Sequence, residues 1–212
     1  MENLNNKVSI YGEVVSDLKF YHQIYCENFY EITVSAPRLS GAVDTIPVVV
    51  SERLIDTKQS LIGKQLYVAG EFRSYNKNTE GKRKCVLHIF ASECEVTDVV
   101  VTGASCNHIE LEGYICKEVY YRKTPLGREI ADLMLAVNRP TFGKSDYIPC
   151  IVWGRNAKFA KDLSVGTKIK VAGRIQSREY VKKLEDGNSE TRVAYEVSVA
   201  KVEILEESTN EE

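Results

Sequence analysis

The sequence predicts an all-β protein: two tandem five-stranded barrels, with one short helix per repeat. Three observations carry that prediction. One half of the chain repeats the other, each half alternates apolar and polar residues at period two, and a brief helical pattern separates the third and fourth alternating stretches. The repeat emerges when Lys7 to Val96 is written above His108 to Ile204. Gly12 falls on Gly113 and Arg38 on Arg139 at an offset of 101, and Ile46-Pro47 on Ile148-Pro149 at 102. Gly63 falls on Gly166, and Val68-Ala69-Gly70 on Val171-Ala172-Gly173, at 103; Ile89, Cys94 and Glu95 fall on Val197, Val202 and Glu203 at 108. The offset only grows, and its largest jump lies between the polar tips Asn76-Lys77-Asn78 and Leu184–Asn188, where insertions cost little. The predicted domains are residues 1–100 and 101–205, joined near Val99–Cys106, followed by a short acidic tail, 206–212.

Each element of the second copy follows from its residues. His108–Cys116 alternates as a first strand, Glu129–Arg139 as a second (Leu133, Leu135 and Val137 on one face) and Asp146–Trp153 as a third. Arg155–Leu163 places Ala157, Phe159, Ala160 and Leu163 at helical spacing and is stopped by Ser164-Val165-Gly166. Lys168–Tyr180 is a long fourth strand bent at Gly173, and Arg192–Leu205 is the fifth. Five short strands with a helix between the third and fourth is the layout of an OB-fold barrel.

Composition bounds the function. Of 212 residues, 28 are Lys+Arg and 30 are Asp+Glu, a formal charge of −2 that excludes a histone-like polycation. Residues 104–205 hold 17 Lys+Arg against 13 Asp+Glu, so a basic second half is masked by four glutamates in the last seven residues. No apolar stretch reaches the roughly 20 residues of a membrane helix, and MENLNNK is no signal peptide. Cys26, Cys85, Cys94, Cys106, Cys116 and Cys150 form no CxxC and read as reduced thiols; the three histidines offer no metal set. No cofactor is expected, no spaced carboxylate or histidine cluster suggests an enzyme, and the expected setting is cytoplasmic and nucleoid-associated.

The strand faces suggest what is bound. Period two sends Ile169, Val171, Gly173 and Ile175 inward and Lys168, Lys170, Arg174, Gln176, Arg178, Tyr180 and Lys182 outward. In the third strand Tyr147, Pro149, Ile151 and Trp153 face out, and Arg139 and Phe142 close the second. Rings among outward cations suit single-stranded nucleic acid, where bases stack at ~1–3 kcal/mol each and cations follow the phosphates. Arg155, Arg122 and Arg128 extend that surface as backbone contacts. In the first copy Thr45 and Ser51 replace Tyr147 and Trp153, while Arg38, Arg73 and Tyr75 keep part of the pattern. Its Pro47 and Val49 read as exposed apolar positions, which support the alternative of a primosome-type assembly factor that mainly docks proteins. Stacking ignores the sugar, so these residues do not choose between DNA and RNA.

Leu135-Ala136-Val137-Asn138-Arg139, Asp146–Arg155, Val165-Gly166 and Gly173–Tyr180 resemble the bacterial single-stranded DNA-binding protein family over Asn107–Leu205. With Gly70-Glu71-Phe72-Arg73-Ser74-Tyr75-Asn76 in the first copy, the chain is similar to the two-repeat variant found in Firmicutes. The resemblance implies OB folds, sequence-tolerant ssDNA binding in replication, repair and recombination, and four OB folds assembled as a homodimer. It implies base stacking by Tyr147, Trp153 and Tyr180, and by Phe142. It also implies replication and repair proteins as partners through an acidic tail ending in an aromatic residue, whereas Glu206–Glu212 here contain neither Phe nor Pro.

Overall fold

Alternation becomes strand in both copies. A computed structural model describes residues 5–79, 82–99, 101, 103–140, 143–183 and 187–206. The first copy contributes β1 (Asn6–Val14), β2 (Lys19–Ile24), β3 (Glu27–Pro37), β4 (Val43–Ser51), β5 (Gln65–Thr79) and β6 (Lys82–Thr97). A short 3-10 turn, Gly103–Cys106, leads into the second copy. That copy comprises β7 (Asn107–Ile115), β8 (Tyr120–Lys123), β9 (Glu129–Asn138), β10 (Ser145–Trp153), α1 (Gly154–Ala160), β11 (Lys168–Lys183) and β12 (Ser189–Ile204). Inward positions alternate with wetter ones, as in the burial of Val8, Ile10 and Val14 along β1 and of Ile109, Leu111 and Ile115 along β7.

Each copy closes on itself. β1 pairs with β3 and β5, β3 with β4, β5 with β6, and β4 runs parallel to β6, which completes a five-stranded ring. The second ring repeats the scheme with β7, β9, β10, β12 and β11, again with one parallel contact, β10 to β12. Closure leaves neither barrel with an open edge. At Gly70 and Gly173 the register slips, and a Cβ at either would lie 2.1 Å from a carbonyl oxygen, of Phe90 or Ser198. The barrel corner needs that close approach, and only glycine allows it.

Two features depart from the expected layout. Each copy has a sixth strand, β2 or β8, added outside its ring against β3 or β9. Among the described residues only the second copy has an α-helix, α1, which buries Ala157 and Ala160. The corresponding segment of the first copy, 52–64, is turns, because side chains take over its amides. Ser51 Oγ accepts from the Arg53 N–H, and Asp56 Oδ1 from the Lys58 N–H at 3.0 Å. Of the two apolar positions expected on an exposed face, Val49 is fully buried and Pro47 is half-buried. All six cysteines are free thiols.

β1 also pairs antiparallel with β7, so the two barrels form one 12-stranded sheet. Val8 lies opposite Ile109, its own counterpart in the repeat, flanked by Asn6↔Leu111 and Ile10↔Asn107. The seam therefore has local two-fold character, as a self-complementary dimer interface would. Asn6 bonds both ways with the Phe72 backbone at 2.9 Å, and Asn107 with that of Ile175 at 2.7 and 2.9 Å.

Candidate nucleic-acid interface

Strand β10 carries the clearest platform. Its outward row exposes Tyr147 (51%) and Trp153 (37%), while Ile151 between them is buried. Trp153 is extended and caps the start of α1, whose first turn presents the exposed Arg155. The second platform is the outer half of β11, where Tyr180 is 37% exposed and the Arg178 guanidinium lies 6.0 Å from its ring centre. Arg178 is exposed and only 4.0 Å from Glu196; Lys182 and the turn residue Arg128 are exposed without an ion pair to another described residue. The registers Ile151↔Ser198 and Tyr180↔Arg192 put the platforms about 20 Å or more apart along β12, so one strand must run several nucleotides to touch both.

Other predicted contacts are committed inside the protein. Arg139 lies at the seam, donating to Asp146 from Nε (2.8 Å) and Nη2 (2.7 Å) and to the Ser74 carbonyl at 3.2 Å. Asp146, 1% exposed, also accepts the Ser74 N–H at 2.6 Å, and Ser74 Oγ accepts the Tyr147 N–H at 2.8 Å. The opposite half repeats this: Arg38 grips Asp44 and the Ser177 carbonyl, Asp44 accepts the Ser177 N–H, and Ser177 Oγ accepts the Thr45 N–H. Arg174 adds a second guanidinium to Asp44 at 2.9 Å. Hydrogen bonding to the aspartates raises the pKa of Arg38 and Arg139, whereas burial lowers that of Arg174. Arg122 is paired with Asp132 at 2.9 Å on the surface, and Arg73 with Glu71 at 2.8 Å. Phe142 lies outside the described residues.

The first copy holds a feature that its sequence did not announce. On its outward face Tyr21, Tyr75 and His88 pack edge-on, with ring centres 6.1, 5.7 and 5.7 Å apart. His22 stacks on Phe29 at 4.9 Å, Phe29 lies 5.5 Å from Phe90, and Arg73 sits 4.0 Å over Phe90. Tyr75 is thus engaged with protein rings. Burial raises the Tyr21 pKa and lowers that of His88 to about 4, so both side chains are neutral near pH 7. Their counterparts in the second copy are polar: Arg122 stands for Tyr21, Arg178 for Tyr75 and Glu196 for His88. β2 reads Lys-Phe-Tyr-His-Gln-Ile without alternation, so the signal for this cluster was the density of rings alone.

Among the described residues no group of His, Cys, Asp or Glu is arranged to hold a metal, and no helix is long and apolar enough to cross a membrane. The single-strand binding protein family, a binding and not a catalytic family, matches residues 106–205. Single-stranded DNA-binding protein 3 of Listeria innocua is 35% identical over 111 residues, 49% of this chain and 66% of that protein. Single-stranded DNA-binding protein A of Bacillus subtilis is 34% identical over 106 residues, 47% of this chain and 59% of that protein. The chain thus spans less than two thirds of the length of these relatives. The crystal structure of single-stranded DNA-binding protein from Thermus aquaticus is 17% identical, superposes with a TM-score of 0.77, and covers 96% of this chain and 94% of its own. Residues 106–205 thus match the single-strand binding protein family, and the two-barrel fold of the whole chain is similar to that of the Thermus aquaticus protein.

Proposed function

We propose that the chain binds single-stranded DNA with little sequence preference and protects exposed strands during replication, repair and recombination. The observation that carries this is β10 of the matched family segment, which turns Tyr147 and Trp153 outward into solvent. Bases stack on these rings and on Tyr180, while Arg128, Arg155, Arg178 and Lys182 follow the phosphates. The relatives' names point to the same ligand. The chain works as a homodimer presenting four barrels, so sedimentation should return twice the 23.9 kDa chain mass. A return of 23.9 kDa at micromolar concentration would remove the dimer from the proposal.

Trp153 is the only tryptophan, so its emission reports the second copy. Titration with oligo(dT) of about 30 nucleotides should quench it strongly at low salt, less at high salt, and duplex DNA should leave it unchanged. Unchanged emission with no mobility shift would refute ssDNA binding. Binding without quenching would keep the function and discard Trp153 as a stacking residue.

A further inference from the structure

The ring cluster of the first copy has no part in the reading above, and its centre is unusual. His88 is 6% exposed, and its Nδ1 has no hydrogen-bond partner among the described residues. Buried polar atoms are nearly always paired, so an unpaired ring nitrogen walled by Tyr21 and Tyr75 marks a place for a flat ligand with a hydrogen-bonding edge. The element covering it is weakly anchored. β2 is an outermost strand paired with β3 alone, and its register slips between Phe20 and His22. Its two-residue turn places Tyr25 (φ 48°) and Cys26 (φ 63°) in the left-handed region, where such turns call for Asn and Gly.

We propose that the first copy holds a second base-binding site, closed by its own β2–β3 hairpin, in which Tyr21 fills the place beside Tyr75 and His88 that a nucleobase takes when a strand lifts the hairpin. A base matches what Tyr21 offers, a flat π surface, and adds an N–H donor for His88 Nδ1. Arg73, held by Glu71 at 2.8 Å, lies over the Phe90 ring beside this cluster. The two copies then take a strand differently: the second with exposed rings and cations, the first with a ring pocket that must open. This proposal rests on the ssDNA reading, and its test separates the two.

The test uses the full chain with poly(dT) and with a short oligo(dT) of about ten nucleotides, which occupies one barrel. Tyr21→Ala should enlarge the number of nucleotides covered per chain and tighten binding to long strands several-fold, while leaving the short oligonucleotide's quenching of Trp153 unchanged. Adding His88→Ala should cancel the gain. Tyr25→Asn with Cys26→Gly relieves the turn, holds the hairpin shut, and should weaken long-strand binding; this variant keeps the proposal testable even if Tyr21→Ala unfolds. Wild-type binding that neither hairpin change alters overturns the proposal and leaves the ssDNA reading standing. No binding by the wild-type chain to either strand overturns both.

Discussion

At the scale of single residues, the seam aspartates decide which arginines are available to a ligand. Asp146 is buried and held by one arginine and one amide, so Asp146→Ala strands the half-buried Arg139 and the Ser74 N–H together. Urea denaturation should show a loss of about 3 kcal/mol, the scale of a broken buried ion pair. Arg174→Ala should cost less than about 1 kcal/mol, because Asp44 keeps Arg38 and the Ser177 N–H. Equal losses for the two would contradict this arrangement. His88 gives a separate, pH-dependent prediction. Its folded pKa of about 4 lies below the unfolded 6.5, so its neutral burial is favourable above pH 6.5 and lost as pH falls from 6.5 toward 4. Burial, then Arg73, Arg139 and His22, push that pKa down and Asp146 pushes it up, while the Tyr21 and Tyr75 rings face the imidazole. Against His88→Phe, wild type should lose about 3 kcal/mol more stability between pH 6.5 and 4, by order of magnitude. Parallel pH profiles would mean that His88 is not buried neutral.

At the scale of elements, what was legible was what is local. Glycines at fixed offsets announced the bends at Gly70 and Gly173, and period two located the barrel strands to within a residue or two at most ends. Gly173→Ala tests the first of these. Its Cβ would lie 2.1 Å from the Ser198 carbonyl oxygen, a backbone atom that cannot swing aside. Thermal unfolding should show destabilisation above about 2 kcal/mol. The missing helix of the first copy was not legible, because Leu54, Ile55 and Leu61 keep an apolar pattern while Ser51, Asp56 and Ser60 divert the amides into turns. The seam was hidden for another reason. Arg38 with Asp44 and Arg139 with Asp146 are near neighbours in sequence, but their purpose lies with Ser177 and Ser74, more than 60 positions away. The offsets still held a trace, since Asn6/Asn107, Ser74/Ser177 and Asp44/Asp146 recur at 101, 103 and 102, the offsets of the glycines and isoleucines nearby.

At the scale of the whole molecule, the seam changes the electrostatics of binding. Nine cations are the candidate phosphate contacts of the sequence: Arg38, Arg73, Arg122, Arg128, Arg139, Arg155, Arg174, Arg178 and Lys182. The fold commits Arg38, Arg139 and Arg174 to buried aspartates and pairs Arg73 and Arg122 with their own carboxylates. Among the described residues Arg128, Arg155 and Lys182 have no ion pair, and Arg178 is held only loosely at 4.0 Å from Glu196. Each phosphate contact to a single strand releases about 0.7 of a counterion, so four cations give a slope of log K against log salt near −3, and nine a slope near −6. A short oligo(dT) of about ten nucleotides confines the measurement to one face. The slope should be about −3, and Arg155→Ala or Lys182→Ala should each reduce its magnitude by about 0.7. Arg139→Ala should weaken the fold and leave the slope unchanged. A slope near −6 would require the seam to open on binding and release its arginines to the strand, which the Arg139→Ala slope would then reveal by falling as well.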